Sequence, residues 1–374
     1  MKIVADDKIP FLKGILEPYA EVIYMPGDKI TRTDIIDADA LIIRTRTKCN
    51  KNLLEGTKVK FIATATIGFD HIDTTYCEKN GIFWTNAAGC NSSSVMQYIA
   101  SVLVNLAIKY NFCFNDKTIG IIGVGNVGKK INALAKALGI NVILNDPPRE
   151  RKEKTSDFSK LDYLIKNSDI ITLHVPLNYE GEDKTFHLFD VEKLSELKPN
   201  TFLINSSRGE VIDNSALLKV AEKNKLKSIN LDVWENEPNI NLDLLKYCDI
   251  ATPHIAGYST DGKANGTSMS IQSLSRFFNL GIDNWFPEYI EKPTNTIINI
   301  DGKKKSAEKI FFEAITKTYN VMNDDKNLRE KPSEFEKLRG NYPLRREFIA
   351  YSIKAINCNI EIINSLKNLG FSII

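Results

Sequence analysis

Three side chains in the second half of this chain could together hold an acid and move a proton. Arg208 closes Leu203-Ile204-Asn205-Ser206-Ser207-Arg208-Gly209 and Glu237 closes Leu231-Asp232-Val233-Trp234-Glu235-Asn236-Glu237-Pro238, while His254 sits in Thr252-Pro253-His254-Ile255-Ala256-Gly257. Each follows a short strand-like run. A guanidinium can take a carboxylate through a two-pronged pair. An imidazole can accept a hydroxyl proton, and a carboxylate beside it can hold and polarise the ring. Oxidation of a 2-hydroxy acid needs that combination, so Arg208, Glu237 and His254 are the expected catalytic residues.

Such a reaction needs an electron acceptor, and Gly123-Val124-Gly125-Asn126-Val127-Gly128 is a nucleotide fingerprint. Context decides whether such glycines mean anything. Here an apolar run over residues 117–122 suits a buried parallel strand. Ile131, Leu134, Ala135 and Leu138 then fall at helical spacing, with Gly139 as the stop. Gly123 makes the tight turn, Gly125 lets backbone approach a pyrophosphate, and Gly128 lets helix pack on strand. The helix start offers N–H groups to phosphates. Asp146 ends the next strand-like run, at the usual distance of roughly 20 residues for an acid that binds ribose hydroxyls. A carboxylate there favours NAD over NADP. Arg149, beyond Pro147-Pro148, could soften the repulsion of a 2′-phosphate, and its direction is open at this level.

The elements that must position these groups alternate β and α. Residues 2–5, 21–25, 40–44, 61–66 and 82–86 read as strands of a first system. Ser92-Ser93-Ser94 caps a long helix carrying Val95, Ile99, Val102, Leu103 and Leu106, which crosses into the nucleotide domain. Residues 263–278 read as a helix returning to the first. The fold class is α/β: two parallel-sheet lobes, Rossmann-like or flavodoxin-like, with a cleft between them and a small α/β C-terminal domain. The divisions are 1–94 with 258–286, 95–257, and 287–374. In the last, residues 296–300 read as a strand, Ile310, Phe311, Ala314, Ile315 and Tyr319 fall at helical spacing, residues 347–356 are strand-like, and residues 360–369 are helical up to Gly370. The faces carrying Phe311, Ile315, Phe348 and Phe371 are the expected apolar surface for association of two copies.

A chain of 374 residues is long enough for two or three cores. Its 49 basic and 47 acidic residues give no electrostatic case for nucleic acid or membrane. With no signal-like segment at Met1 and no apolar run of roughly 20 residues, a cytoplasmic setting is expected. The six cysteines are scattered without metal-like or redox spacing, so no metal is expected. Among the other histidines, His71 reads as a turn or packing residue, His187 as structural or solvent-facing, and His174 as a packing or cofactor contact. Arg44, Arg46 and Lys48 alternate at a strand end and could aim at one face, as a site for a second anion or as a solvated edge.

With the glycine fingerprint, Asn205-Ser206-Ser207-Arg208-Gly209, Leu231-Asp232-Val233-Trp234-Glu235 and Pro253-His254-Ile255-Ala256-Gly257, the chain resembles the D-2-hydroxyacid dehydrogenase family. A narrower branch is matched by Arg44-Thr45-Arg46-Thr47-Lys48, by residues 64–71, by Gly89-Cys90-Asn91, by Tyr258 with Gly262-Lys263-Ala264, and by tail motifs at 334–339, 341–342 and 345–347. The resemblance implies NAD-dependent oxidation of 4-phospho-D-erythronate to the 2-oxo acid, on the route to pyridoxal phosphate. It implies cofactor contacts from Gly123, Gly125, Asn126, Val127, Gly128, Asp146, Val175, Ser206, Ser207, Arg208, Asp232 and Gly257, and substrate contacts from Thr45, Thr66 and Tyr258. It also makes the tail a homodimerisation domain; a regulatory ligand-binding tail is the alternative. Arg345-Arg346 could then reach a partner's cleft as an extra anion ligand. The chain departs from the family at Gln97, where a glutamate is common, and at Ser206-Ser207, where a hydrophobic or cysteine-bearing variant stands. Two other readings stay open: a dehydrogenase for another phosphorylated acid such as 3-phosphoglycerate, and a non-catalytic NAD-sensing protein, which predicts erosion of the catalytic trio.

Overall fold

The computed structural model describes all residues from Met1 to Ile374. Two compact units emerge, Met1–Asn91 with Ser259–Glu291, and Ser92–Tyr258 with Lys292–Ile374.

The first unit is a five-stranded parallel sheet: β1 (Lys2–Asp6), β2 (Glu21–Met25), β3 (Ala40–Ile43), β4 (Phe61–Thr64) and β5 (Phe83–Asn86), in the order β2-β1-β3-β4-β5. Period-two alternation divides its residues between two cores. Val4, Leu41, Ile43 and Ile62 meet Ile35, Leu53 and Cys77 on one face. Ile3, Ile42, Phe61 and Ala63 meet Ile271 and Leu274 of the helix Thr260–Phe278 on the other. Burial on both faces explains why β3 and β4 are apolar throughout rather than alternating. Both strands stop short of the expected ends, at Ile43 and Thr64. Residues 44–48 form a turn closed by Thr47 N–H on the Arg44 carbonyl. A turn has no two-residue period, so the expected alternation of Arg44, Arg46 and Lys48 on one face does not occur.

In the second unit β6 (Thr118–Ile122), β7 (Asn141–Asn145), β8 (Ile170–Leu173), β9 (Phe202–Asn205), β10 (Ser228–Leu231) and β11 (Ile250–Ala251) form a parallel sheet in the order β11-β10-β9-β8-β6-β7. The chain reverses direction across the sheet between β6 and β8. That switch point is where open α/β sheets bind ligands, beyond the carboxyl ends of the strands. Ser92, Ser93 and Ser94 are the first turn of the helix Ser92–Tyr110 rather than its cap, and Ser94 Oγ donates to Glu347 of the tail at 2.7 Å.

The tail adds a parallel sheet β12-β13-β14, with β12 at Ile297–Asp301, β13 at Ser352–Ile356 and β14 at Ser372–Ile373. The strand expected over 347–356 begins only at Ser352, after one tight helical turn at Phe348–Ala350. Its helices Val321–Glu330 and Phe335–Gly340 were not legible in the sequence. The apolar faces expected to await a second copy are spent inside the single chain. Phe311, Ile315, Phe348 and Phe371 are 3%, 0%, 2% and 4% exposed. They share one core with Val95, Ile99 and Leu106 of the helix Ser92–Tyr110, and the helix Ala307–Thr316 lies along that helix. Burying them there takes their apolar area out of water within the one chain.

Candidate active site

The glycine turn sits at the switch point. Gly123 has φ +84, and a Cβ on it would lie 2.5 Å from the His174 carbonyl and 2.8 Å from Val175 Cγ1, so β6 and β8 close on one another there. A Cβ on Gly128 would lie 2.0 Å from the Gly123 carbonyl. At Gly125 a Cβ meets nothing within 4 Å. The helix Asn126–Leu138 begins at Gly125 with no side chain capping its N–H groups. This cradle fits a dinucleotide pyrophosphate: a bare backbone turn, an uncapped helix start with exposed Asn126 and half-buried Val127, and open space at the middle glycine.

Asp146 is tied to the same turn. Val124 N–H donates to its Oδ2 at 2.7 Å, and Arg149 N–H to its Oδ1 at 3.1 Å. Each oxygen keeps a second lone pair for a ribose hydroxyl. The direction of Arg149, open in the sequence, is resolved. Its guanidinium donates to the Val124 carbonyl at 2.6 Å and pairs with Glu153 at 2.7 and 2.8 Å. Glu153 is thus the charged partner of the Arg149 guanidinium.

At the carboxyl ends of β10 and β11 the structure brings Glu237 and His254 together. His254 Nδ1 lies 2.7 Å from Glu237 Oε2, and Trp234 N–H donates to Glu237 Oε1 at 3.0 Å. Burial alone would raise the Glu237 carboxyl. The hydrogen bond from the ring, its charge and the Trp234 N–H outweigh that and hold it below the usual glutamate range. The histidine has φ +56, in the left-handed region that a side chain beyond glycine adopts at a cost of about 1–3 kcal/mol. Arg208 follows β9 by three residues, and its Nη1 donates to the Ser207 carbonyl. Its loop is pressed onto the Glu237 turn, since a Cβ on Gly209 would fall 2.0 Å from the Trp234 carbonyl group. All three expected catalytic residues thus belong to adjacent loops at one end of one sheet.

Sequence reasoning missed what holds these loops. Asp232, expected as a cofactor contact, is 1% exposed and acts as a knot. Oδ1 accepts from Thr252 Oγ1 (2.6 Å) and Ile255 N–H (2.8 Å), and Oδ2 from Ala256 N–H (2.9 Å). Buried Trp234 donates to the Thr252 carbonyl (3.0 Å), and Tyr98 bonds Thr252 Oγ1 (2.9 Å). Ser207 donates to Asn205 Oδ1 through backbone and hydroxyl, whereas half-buried Ser206 buries a hydroxyl that has no partner. Gly257 is half-buried beyond the knot, and Tyr258 packs edge-on against Tyr342 at 5.7 Å. His187 bonds Glu235 at 2.7 Å, a structural role. His174 is half-buried and bonded to Thr172 Oγ1, and burial pushes it down to about 3.

In the first unit Thr66 lies two residues beyond β4. Its hydroxyl shares a 2.7 Å bond with Thr64, whose hydroxyl meets His71 Nε2 at 3.1 Å. Thr45 is exposed in the turn after β3. Arg44 turns back onto buried Asp6 through a two-pronged pair at 3.0 and 3.1 Å. Lys263 feels its charge: partial desolvation first, and then Arg44, hold the lysine below its usual range.

The nucleotide cradle and the carboxylate-held histidine define a dehydrogenase of the D-2-hydroxyacid class. Residues 109–256 match the family model described as "D-isomer specific 2-hydroxyacid dehydrogenase, NAD binding domain", and residues 290–370 match one described as "Domain of unknown function (DUF3410)". The D-lactate dehydrogenase of Aquifex aeolicus, solved with NAD and lactic acid, superposes with a TM-score of 0.62 at 27% identity, covering 78% of this chain and 100% of that one. The chain is 51% identical over 357 residues to the erythronate-4-phosphate dehydrogenase of Bacteroides thetaiotaomicron, covering 95% of this chain and 100% of the relative. It is 40% identical to that of an Escherichia coli strain over 100% of this chain and 98% of the relative. The chain belongs to the erythronate-4-phosphate dehydrogenase family, and it is an NAD-dependent oxidoreductase.

Proposed function

We propose that this protein oxidises 4-phospho-D-erythronate at its 2-hydroxyl to the 2-oxo acid, the step its relatives' name specifies and the resemblance assigns to the pyridoxal phosphate route. The observation that carries the chemistry is the 2.7 Å bond between His254 Nδ1 and Glu237. With Nδ1 committed to the carboxylate, Nε2 is the nitrogen left to take the hydroxyl proton. Glu237, kept ionised by its surroundings, fixes the ring and stabilises the charge it acquires. Bound NAD supplies the hydride acceptor. Arg208 holds the substrate carboxylate as a planar two-pronged donor. The turn and helix start at Gly123, Gly125, Asn126, Val127 and Gly128 hold the pyrophosphate, and Asp146 the ribose. Val175, Ser206, Ser207, Asp232 and Gly257 line the remaining cofactor contacts, while Thr45, Thr66 and Tyr258 supply hydroxyls to the substrate. Arg44 and Lys263, two mutually repelling cations, are candidates for the substrate phosphate.

In this reading the tail from residue 287 is the third module of the chain and joins two copies in the cytoplasm. Its support is the set of isoleucines left in water, Ile349, Ile360 and Ile374, at 72%, 66% and 63% exposed. No helix of the chain is long and apolar enough to cross a membrane. The test of the activity is to follow NADH fluorescence with a panel of D-2-hydroxy acids. Turnover should be far higher with 4-phospho-D-erythronate than with 3-phosphoglycerate or D-lactate. Equal or better turnover with 3-phosphoglycerate would overturn the substrate assignment, and none with any acid would overturn the enzyme.

A further inference from the structure

We infer that Arg345, in the tail, is a positioning residue for the histidine loop of its own chain. The reasoning rests on the role given to His254. The backbone just beyond His254 is gripped from two sides by buried ionisable groups. Asp232 takes the N–H groups of Ile255 and Ala256 at 2.8 and 2.9 Å. Arg345 Nη1 donates to the carbonyls of the same two residues, both at 3.3 Å. Other donors anchor the arginine: Nε to Gln97 Oε1 at 2.8 Å and Nη2 to the Ser94 carbonyl at 2.6 Å, with a further side-chain bond to Tyr342. Its plane stacks on Tyr319 at 3.8 Å, and the residue is 4% exposed.

This geometry replaces the expectation that Arg345 reaches into a partner's cleft, because its guanidinium is buried and bonded to groups of its own chain. It also explains the departure at position 97. Gln97 offers one oxygen to Arg345, and its amide nitrogen donates to the Arg346 carbonyl at 2.9 Å. A glutamate would have only acceptors to set against that carbonyl. The acceptors of Arg345 here are all neutral, so the guanidinium serves as a rigid multi-pronged connector. Such a connector suits the site. His254 holds a left-handed backbone that persists only where its surroundings over-determine it, and Asp232 and Arg345 fix the two residues that follow. A mechanical tie between tail and proton acceptor follows, with no second subunit required.

The test compares Arg345→Ala and Arg345→Lys in the full-length protein. Lysine keeps the charge, but one ammonium cannot serve the same planar set of acceptors. In both variants kcat should fall at least tenfold while KM for NAD stays within about twofold, with the lysine variant intermediate. The pH–rate profile should also change shape, and added guanidinium ion should restore part of the alanine variant's turnover. If the alanine variant does not fold, the lysine variant decides. A folded lysine variant with wild-type kcat and pH profile overturns the proposal. So does a loss of kcat that tracks loss of NAD binding and is not relieved by guanidinium. His254→Ala, run in parallel, separates the two ideas: near-normal turnover there sinks the role of the histidine itself, whatever Arg345 does.

Discussion

Both large sheets carry a histidine just past a strand end, and the two histidines have different surroundings. After β4, His71 Nε2 meets the Thr64 hydroxyl, and burial outweighs the nearby Asp70 charge and holds the ring below the usual histidine range. After β11, His254 meets a carboxylate at 2.7 Å, itself kept ionised. The sheets are alike in construction: the order β2-β1-β3-β4-β5 recurs in the second as β7-β6-β8-β9-β10, with β11 added. A parallel sheet therefore delivers loops to one edge in either case. Under the proposed function, the residue facing the imidazole is what separates the proton acceptor His254 from His71.

The comparison can be broken most forcefully at His254. His254→Ala should lower kcat by about 10²–10⁴-fold, the usual contribution of a positioned base, while NAD still binds in a fluorescence titration. Turnover within threefold of wild type would erase the distinction between the two histidines. Glu237→Gln should cost less in rate but move the pH–rate profile. The ring then loses the anion that steadies the charge it acquires in turnover, so the profile should change shape. An unmoved profile would reduce Glu237 to a hydrogen-bonding spacer. Asp146→Ala should weaken NAD by up to about tenfold, the worth of one or two lost hydrogen bonds, and narrow the gap to NADP. A wild-type enzyme already indifferent between the two cofactors would contradict the reading of Asp146.

The smallest effect at neutral pH should come from the two half-buried histidines whose pKa desolvation lowers. His174 is pushed down to about 3 in the folded chain, whereas in the unfolded chain it titrates near the ordinary value of about 6.5. The unfolded state thus binds the proton first. Its contribution to stability is intact above about pH 6.5 and is lost progressively as pH falls toward 3. His71 acts in the same direction. Urea unfolding of His174→Gln at pH 7.5 and pH 5 should show a smaller acid loss than wild type; an equal loss would place the lability elsewhere.

Much of this was legible in the sequence because the relevant signals are local. The glycine spacing, the apolar runs ahead of Arg208, Glu237 and His254, and the stripe at Ile310, Phe311, Ala314 and Ile315 each lie within one element. What was not legible depends on distant neighbours. Arg44 looked like the start of an alternating strand edge because nothing nearby reveals Asp6 as its partner. Asp232 reads as a cofactor contact, and only the loop 20 or more residues on shows that its oxygens also tie down the histidine loop. Phe348 and Phe371 looked like an interface because their true partners stand some 250 residues earlier in the chain, as the bond from Gln97 to Arg346 across 249 positions illustrates.

That separation has a consequence for how the chain is made. A core that joins the helix Ser92–Tyr110 to Phe371 cannot close until Phe371 has left the ribosome. The nucleotide-binding sheet can pair its strands early, but one side of its covering helices stays bare until the tail strands and helices emerge. Non-local closure of this kind is slow and leaves apolar surface uncovered in the meantime. The nascent protein should therefore be most prone to aggregation in the interval after Tyr258 emerges and before Phe371 does, a window in which chaperone engagement would concentrate.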